Sequence, residues 1–405
     1  MRRLEAAFVA TILAVAGIAG AVALWPTKVP DDLRLPPLDE RDVFSAAELR
    51  EADHFEAFLR WNSLLAALVT LAVLALYAWR GHRLARESAA GRIGTGMLLG
   101  MLGLGILWFT QVPFGLAEVW WARRHDAADV GYLEWLLGDW LALGFEFAFV
   151  SFALLIVMGF AQVLHGRWWV PGAPTFVTIY IFFAWALPWL VVEDHPLRDP
   201  ELRAAAQVYA REQGVEPIPV RVEEVSAYTD SPNAFAAGID RSRRVFIWDT
   251  MLDGRFEDDE VMVVLAHEIA HHSREHILKS IGWYALLAVP GTLLIALATR
   301  RRGSLREPKA VPVALFVYVA LSFLAQPFSN VVSRRMEAEA DWVALETTED
   351  PEAARGLFET FTTESHADPT PPRWSSVLFD THPGMLERIR MAEAWRERTA
   401  GRSHP

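Results

Sequence analysis

The sequence predicts a mainly α, polytopic membrane helical bundle interrupted by one polar block that carries a small β-sheet. Three observations predict it. Seven long apolar stretches each approach the roughly 20 residues that span a bilayer. The composition, 53% hydrophobic and 12% aromatic with a mean hydropathy of +0.19, is too apolar for an ordinary soluble enzyme. The only large polar block, Glu193–Lys279, holds His267-Glu268-Ile269-Ala270-His271. The formal net charge of −12 argues against a nucleic-acid partner, and the absence of cysteine excludes disulfides, thiolate metal sites and a cysteine nucleophile.

The apolar stretches run Leu4–Trp25, Trp61–Trp79, Ile93–Val112, Leu141–Leu164, Phe176–Val192, Ile281–Ala298 and Val311–Val331. The first opens with Arg2-Arg3 like a signal peptide, and Ala19 to Ala23 resembles a cleavage site, but its apolar run exceeds a usual signal core, so it is read as a span. The third contains Gly96, Gly100, Gly103 and Gly105, small residues that let helices approach closely. In the polar block, Asp199-Pro200-Glu201 reads as a helix start and Gly214 as its end. Two β-like runs follow, Val220–Tyr228 and Val245–Trp248, around the turn-prone Asp230-Ser231-Pro232-Asn233. After the seventh stretch the chain continues as a polar helix through Arg334–Glu346, then a Pro- and Ser-rich loop over Ala367–Ser376, then a polar segment Asp380–Arg398. The division expected is 1–192 for five membrane helices, 193–279 for the core around the His-Glu motif, 280–332 for helices six and seven, and 333–405 for a C-terminal part.

The apolar run Val261–Ala266 reads as helix, so His267 and His271, at i and i+4, share one face and can offer two imidazole nitrogens to one metal. Glu268 projects beside that metal, placed to take a proton from water. A zinc-dependent hydrolase is implied, and it needs a third protein ligand. A metzincin would have His six residues after His271. That position is Ile277, His276 is one residue short, and the glycine that bends such chains is absent. The third ligand therefore lies far away in sequence, and the best segment is Arg334–Asp341. There Glu337 and Asp341 share a helix face, Glu337 able to ligate and Asp341 able to fix the tautomer of a ligand histidine. Glu339 points off that face, as a solvated or ion-paired side chain. A plain charged helix face is the competing reading of this segment.

These motifs resemble the type I CAAX prenyl proteases, integral-membrane gluzincins. The resemblance spans almost the whole chain. It takes in five spans, the block with His267–His271, two more spans, and Glu337-Ala338-Glu339-Ala340-Asp341 on the extension of the last. Asn233-Ala234-Phe235-Ala236-Ala237-Gly238 looks like the family's Asn-Ala strand, and Thr381-His382-Pro383 with Arg388 looks like its C-terminal motif. The resemblance implies one zinc ion per chain held by His267, His271 and Glu337, with Glu268 as general base and His382 as donor to the developing oxyanion. It further implies that Asn233, Ala234 and Phe235 hold substrate backbone by β-augmentation, and that Arg388 either pairs with Asp341 or meets substrate. Small residues follow Asn233 where prenyl-processing members tend to carry aromatics, which leaves the substrate open. His272 and His276 read as surface or supporting groups.

The implied enzyme is a zinc endopeptidase, its fold a helical bundle enclosing a chamber, acting on membrane-associated or lipidated peptides in a lipid bilayer, and in a bacterium the inner or plasma membrane. A quality-control or signalling peptidase without prenylated substrates is the rival. A membrane sensor or transporter on a degenerate zinc fold is disfavoured by the intact motif. Asp139 and Glu146, near and inside the fourth apolar region, either line a water-filled chamber, as the resemblance suggests, or are buried against Arg or Ser on another helix. The basic loops Arg80–Arg92 and Arg300–Lys309 point to the cytoplasm by the positive-inside rule, which sends the zinc block outward. The eukaryotic members of the family point the other way.

Overall fold

The structure, a computed structural model, describes all residues except 1, 86–88, 126, 128–129, 191–193, 228 and 402–405; of residues 2–10, 12 and 13 it describes the backbone alone. The expected ends at Val192, Glu193 and Tyr228 lie outside the described residues. The chain forms α1 (Arg2–Leu24), α2 (Ala46–Arg80), α3 (Gly91–Arg124), α4 (Tyr132–Leu164) and α5 (Trp169–Ala186). Then come β1 (Asp194–Pro196), α6 (Pro200–Glu212), β2 (Val220–Glu223), β3 (Ala234–Ala237), β4 (Arg244–Trp248) and α7 (Asp258–Ser273). The remainder is α8 (His276–Thr299), α9 (Val311–Thr348), α10 (Pro351–Glu364), α11 (Arg373–Leu378) and α12 (Met385–Ala400).

Among the described residues six helices are long and apolar enough to cross a membrane: α2, α3, α4, α5, α8 and α9. The first expected span is helical too, as α1, with Ala14–Leu24 its described apolar part. The chain is thus a multi-pass membrane protein. It divides into two compact units, one of residues 57–179 and 287–326, the other of residues 1–56, 180–286 and 327–405.

In the first unit α3 and α4 pack at short range because glycine lets them. A Cβ on Gly96 would stand 2.3 Å from Met158 Sδ, and one on Gly100 2.5 Å from Leu154 Cδ1. Tyr77 spans the gap from α2, its hydroxyl donating to Leu99 O at 2.7 Å. Leu141, Phe145 and Val163 of α4 point outward, as apolar side chains do when the solvent is hydrocarbon. Asp139 is half-buried and Glu146 exposed, so the alternative of burial against Arg or Ser fails for Glu146.

The second unit holds a sheet of order β1-β2-β4-β3, with β2 and β4 parallel and the other pairs antiparallel. Beyond the two expected runs and the expected strand at Asn233–Gly238, the sheet has β1, and the first run ends at Glu223. Val245, Phe246 and Ile247 are fully buried, and β4 thereby joins a core with Leu265, Ala266 and Ile269 of α7 and Leu345 of α9. Helix α6 begins as expected, with Asp199 Oδ1 accepting from Glu201 N–H at 2.8 Å and Leu202 N–H at 2.9 Å, and ends before Gly214 at φ +72°. The seventh apolar stretch and the polar helix after it are one helix, α9, 38 residues long with Pro327 inside it. Two elements differ from expectation. Helix α10 occupies a stretch to which no element was assigned, and α11 begins inside the expected Pro- and Ser-rich loop.

Candidate active site

Helix α7 is almost wholly buried, and small side chains set its distance from α9: Ala270 packs on Ala340 and Val343, with both alanines inaccessible. That close approach carries Glu337 to the histidine face. His267 Nε2 and His271 Nε2 lie 3.1 Å apart. Glu337 Oε2 is 3.2 Å from the first and Oε1 3.7 Å from the second. One donor atom from each of the three residues lies within 4.8 Å of the others.

This donor set fits a metal ion on two counts. Donors about 2.1 Å from one tetrahedral ion lie about 3.4 Å apart, which is the spacing found. The buried charges also demand a cation. Three carboxylates (Glu268, Glu337 and Asp341) gather here with one guanidinium, Arg388, an excess of acidic groups, and uncompensated buried charge is costly. Burial pushes His271 down to about 3, which keeps its ring neutral and able to donate a lone pair. At His267 burial acts the same way, but hydrogen bonds to Asp341 and Glu337 win and push it up to about 10, the response of a site that attracts positive charge.

Behind His267 the support is a carboxylate chain. Its Nδ1 donates to Asp341 Oδ1 at 2.8 Å. Arg388 then grips Asp341 with two bonds, Nε to Oδ2 at 2.9 Å and Nη2 to Oδ1 at 2.6 Å, while its guanidinium lies 4.2 Å from the centre of the Phe358 ring. Of the two partners open to Arg388, Asp341 is therefore the one it meets in the structure. A nitrogen held by an anion fixes the tautomer that leaves Nε2 bare.

Glu268 is buried beside these groups. Burial, and then the neighbouring Glu337, push its carboxyl up to about 7, opposed by His267 beside it and then by hydrogen bonding from the Ala236 backbone. That contact follows from the strand register. Trp248 N–H donates to Asn233 O at 3.0 Å, and Phe235 pairs with Phe246. Residues 233, 235 and 237 thus turn their backbone to β4, and 234 and 236 turn theirs to the open edge of the sheet.

A cavity of about 250 Å³ is lined by Asn233, Ala234, His267, Glu268, His382 and Arg388 on its polar side, and by Val264, Leu357, Phe358 and Phe361 among its apolar walls. The structure thus brings together His267, His271, Glu337, Glu268, Asp341, Arg388 and His382, the last with Nε2 3.3 Å from Glu337 Oε2 and its ring half exposed. Asn233 and Ala234 reach the cavity, although Asn233 Oδ1 is turned back onto Ala234 N–H at 2.9 Å. Phe235 does not; its ring stacks on Phe246 at 5.0 Å. The apolar wall from α10 was missed in the sequence, where Asp350-Pro351 carries the same helix-start signal as Asp199-Pro200.

Three further groups stand behind the site. His272 Nε2 donates to Arg244 O at 2.9 Å. His276 is buried, with Nδ1 2.9 Å from His271 Nδ1. Glu339 is ion-paired as expected but not solvated: it is fully buried against Arg274, His276 and Lys279.

A multi-pass membrane fold with a candidate metal site of two histidines and a glutamate is what this fold and this convergence define. Residues 196–396 match the family model of peptidase family M48, and the resemblance read from the motifs is borne out. The chain is 26% identical over 274 residues to the uncharacterized metalloprotease YhfN of Bacillus subtilis, a match covering 64% of each chain. It is 25% identical over 212 residues to the CAAX prenyl protease 1 homolog of Arabidopsis thaliana, covering 50% of each. The matches therefore span about two thirds and half of those relatives' own lengths. A crystal structure of S. mikatae Ste24p has a similar fold, with a TM-score of 0.68 over 95% of this chain and 97% of that one at 16% identity.

Proposed function

We propose that the chain is a zinc endopeptidase of the membrane, cutting peptide bonds in membrane-associated or lipidated proteins in the manner of CAAX prenyl proteases. One observation carries this: two imidazole nitrogens and a distant carboxylate converge within 4.8 Å beside a buried glutamate, in a chain whose described residues include six helices long and apolar enough to span a membrane. In this reading His267, His271 and Glu337 hold one zinc ion. When bound, the ion supplies Lewis acidity, polarising the scissile carbonyl and acidifying water.

The chain's own residues do the rest. Glu268, raised to about 7, is matched to taking a proton from water near neutral pH and returning it to the leaving amine. The Ala236 N–H holds that carboxylate in place. His382, half exposed at the rim, donates toward the oxygen on which charge develops. The open edge of β3 at Ala234 takes an extended substrate as an added strand, with Asn233 beside it on the cavity wall; Phe235 supports that strand through its stacking on Phe246. Asp341 and Arg388 hold His267 in its ligating tautomer. Likeness to the bacterial YhfN and the spanning helices support placement in a bacterial inner membrane.

The test is Glu268→Gln assayed on a quenched peptide in proteoliposomes. Cleavage should fall by about 10²–10⁴-fold with zinc content unchanged. Undiminished turnover removes Glu268 as the base.

A further inference from the structure

We infer that His276 and Glu339 position the second histidine of the site, doing for His271 through a relay what Asp341 does for His267 directly. The inference rests on the reading of His271 as a metal ligand.

An imidazole that offers Nε2 to a cation must carry its proton on Nδ1. His267 meets that need with a carboxylate. Among the described residues no carboxylate meets His271 at Nδ1; that atom faces another imidazole nitrogen, His276 Nδ1, at 2.9 Å. At that distance one ring donates and the other accepts. If His271 Nδ1 donates, His276 Nδ1 is the acceptor, and the remaining proton of His276 is on Nε2. That atom lies 3.2 Å from Glu339 Oε2, so the proton points at a carboxylate. The opposite arrangement leaves His276 Nε2 bare against the same carboxylate, two acceptors face to face, and places a proton on His271 Nε2 where the cation should bind. Glu339 therefore selects the competent tautomer of His271 from one ring away.

The setting of Glu339 fits that task. It is fully buried, where an anion is expensive unless it is fully bonded. Arg274 Nε donates to Oε1 at 2.7 Å, and Lys28 N–H donates to the same oxygen at 3.0 Å. Lys279 Nζ donates to Oε2 at 3.1 Å. These bonds hold the carboxylate ionised and still, so that the face it turns to His276 is an acceptor. A salt bridge that merely stapled α8 to α9 would need Arg274 and Lys279 alone. It would not need a buried histidine, 3% exposed, inserted between the carboxylate and the ring.

The experiment compares His276→Leu with His276→Gln in the full-length protein. Gln keeps an acceptor and a donor side by side; Leu keeps bulk only. Zinc affinity is measured by chelator competition, the visible spectrum after cobalt substitution reports ligand geometry, and melting of the metal-free protein reports folding. His276→Leu should weaken zinc by about 10–100-fold and shift the cobalt bands. His276→Gln should recover most of the affinity, with the two metal-free proteins melting alike. Unchanged affinity in His276→Leu overturns the relay. So does equal loss in both variants with a lowered metal-free melt, the mark of a structural staple. A wild-type protein that binds no zinc overturns the active-site reading itself, and the relay with it.

Discussion

Helix α9 obeys opposite rules at its two ends. Between Tyr318 and Val331 it exposes large apolar side chains, with Leu324 76% exposed and Phe323 and Phe328 also outward. Between Glu337 and Asp341 it buries three carboxylates, none more than 8% exposed. One continuous helix thus passes from a stretch whose exposed surface is apolar to one where charge is enclosed. The difference teaches what each stretch is for. Exposed apolar surface costs nothing in lipid, whereas an enclosed carboxylate is retained only where cations, hydrogen bonds or a metal compensate it.

The comparison can be broken by exchanging the two rules. Leu324→Asp puts a charge on the lipid-facing stretch and should destabilise membrane insertion by about 3 kcal/mol; wild-type yield and melting temperature would show that Leu324 does not face lipid. Asp341→Asn leaves the shape of the enclosed stretch and removes its charge. It should weaken zinc by about 10–100-fold, read by chelator competition, and unchanged affinity would remove Asp341 as the support of His267. The mildest test is pH. Glu268 acts as a base only when ionised, and its carboxyl is raised to about 7. Activity should therefore fall on acidification, with the acid limb displaced upward from the ordinary carboxylate range. An acid limb near the ordinary value of 4.5 would show that enclosure does not tune this group.

Much of the site was legible in the sequence because its chemistry is written in short spacings. Four residues separate His267 from His271 and Glu337 from Asp341, and that separation alone places each pair on one helix face. The helix start at Asp199-Pro200 was legible for the same local reason. What was not legible depended on what covers a surface. Glu339 sits two positions from Glu337 and so faces away from it, which reads as solvent; only the fold shows that Arg274, His276 and Lys279 close over that face. Phe235 alternates correctly along its strand, but which side of β3 packs on Phe246 is a property of the sheet. Helix α10 was legible from Asp350-Pro351 and the apolar spacing of Ala354, Leu357, Phe358 and Phe361, and that signal was passed over. Six of the seven apolar stretches correspond to helices long and apolar enough to span among the described residues, while the continuity of α9 through Pro327 is not in the local spacing, because proline removes a helix hydrogen bond.

The central claim is that Glu337 completes a metal site begun seventy residues earlier in the chain. Elemental analysis of purified Glu337→Ala, beside wild type and Glu268→Gln, tests it most directly. The account predicts one zinc per chain in the wild type and in Glu268→Gln, and little or none in a folded Glu337→Ala. Full occupancy in Glu337→Ala would contradict it.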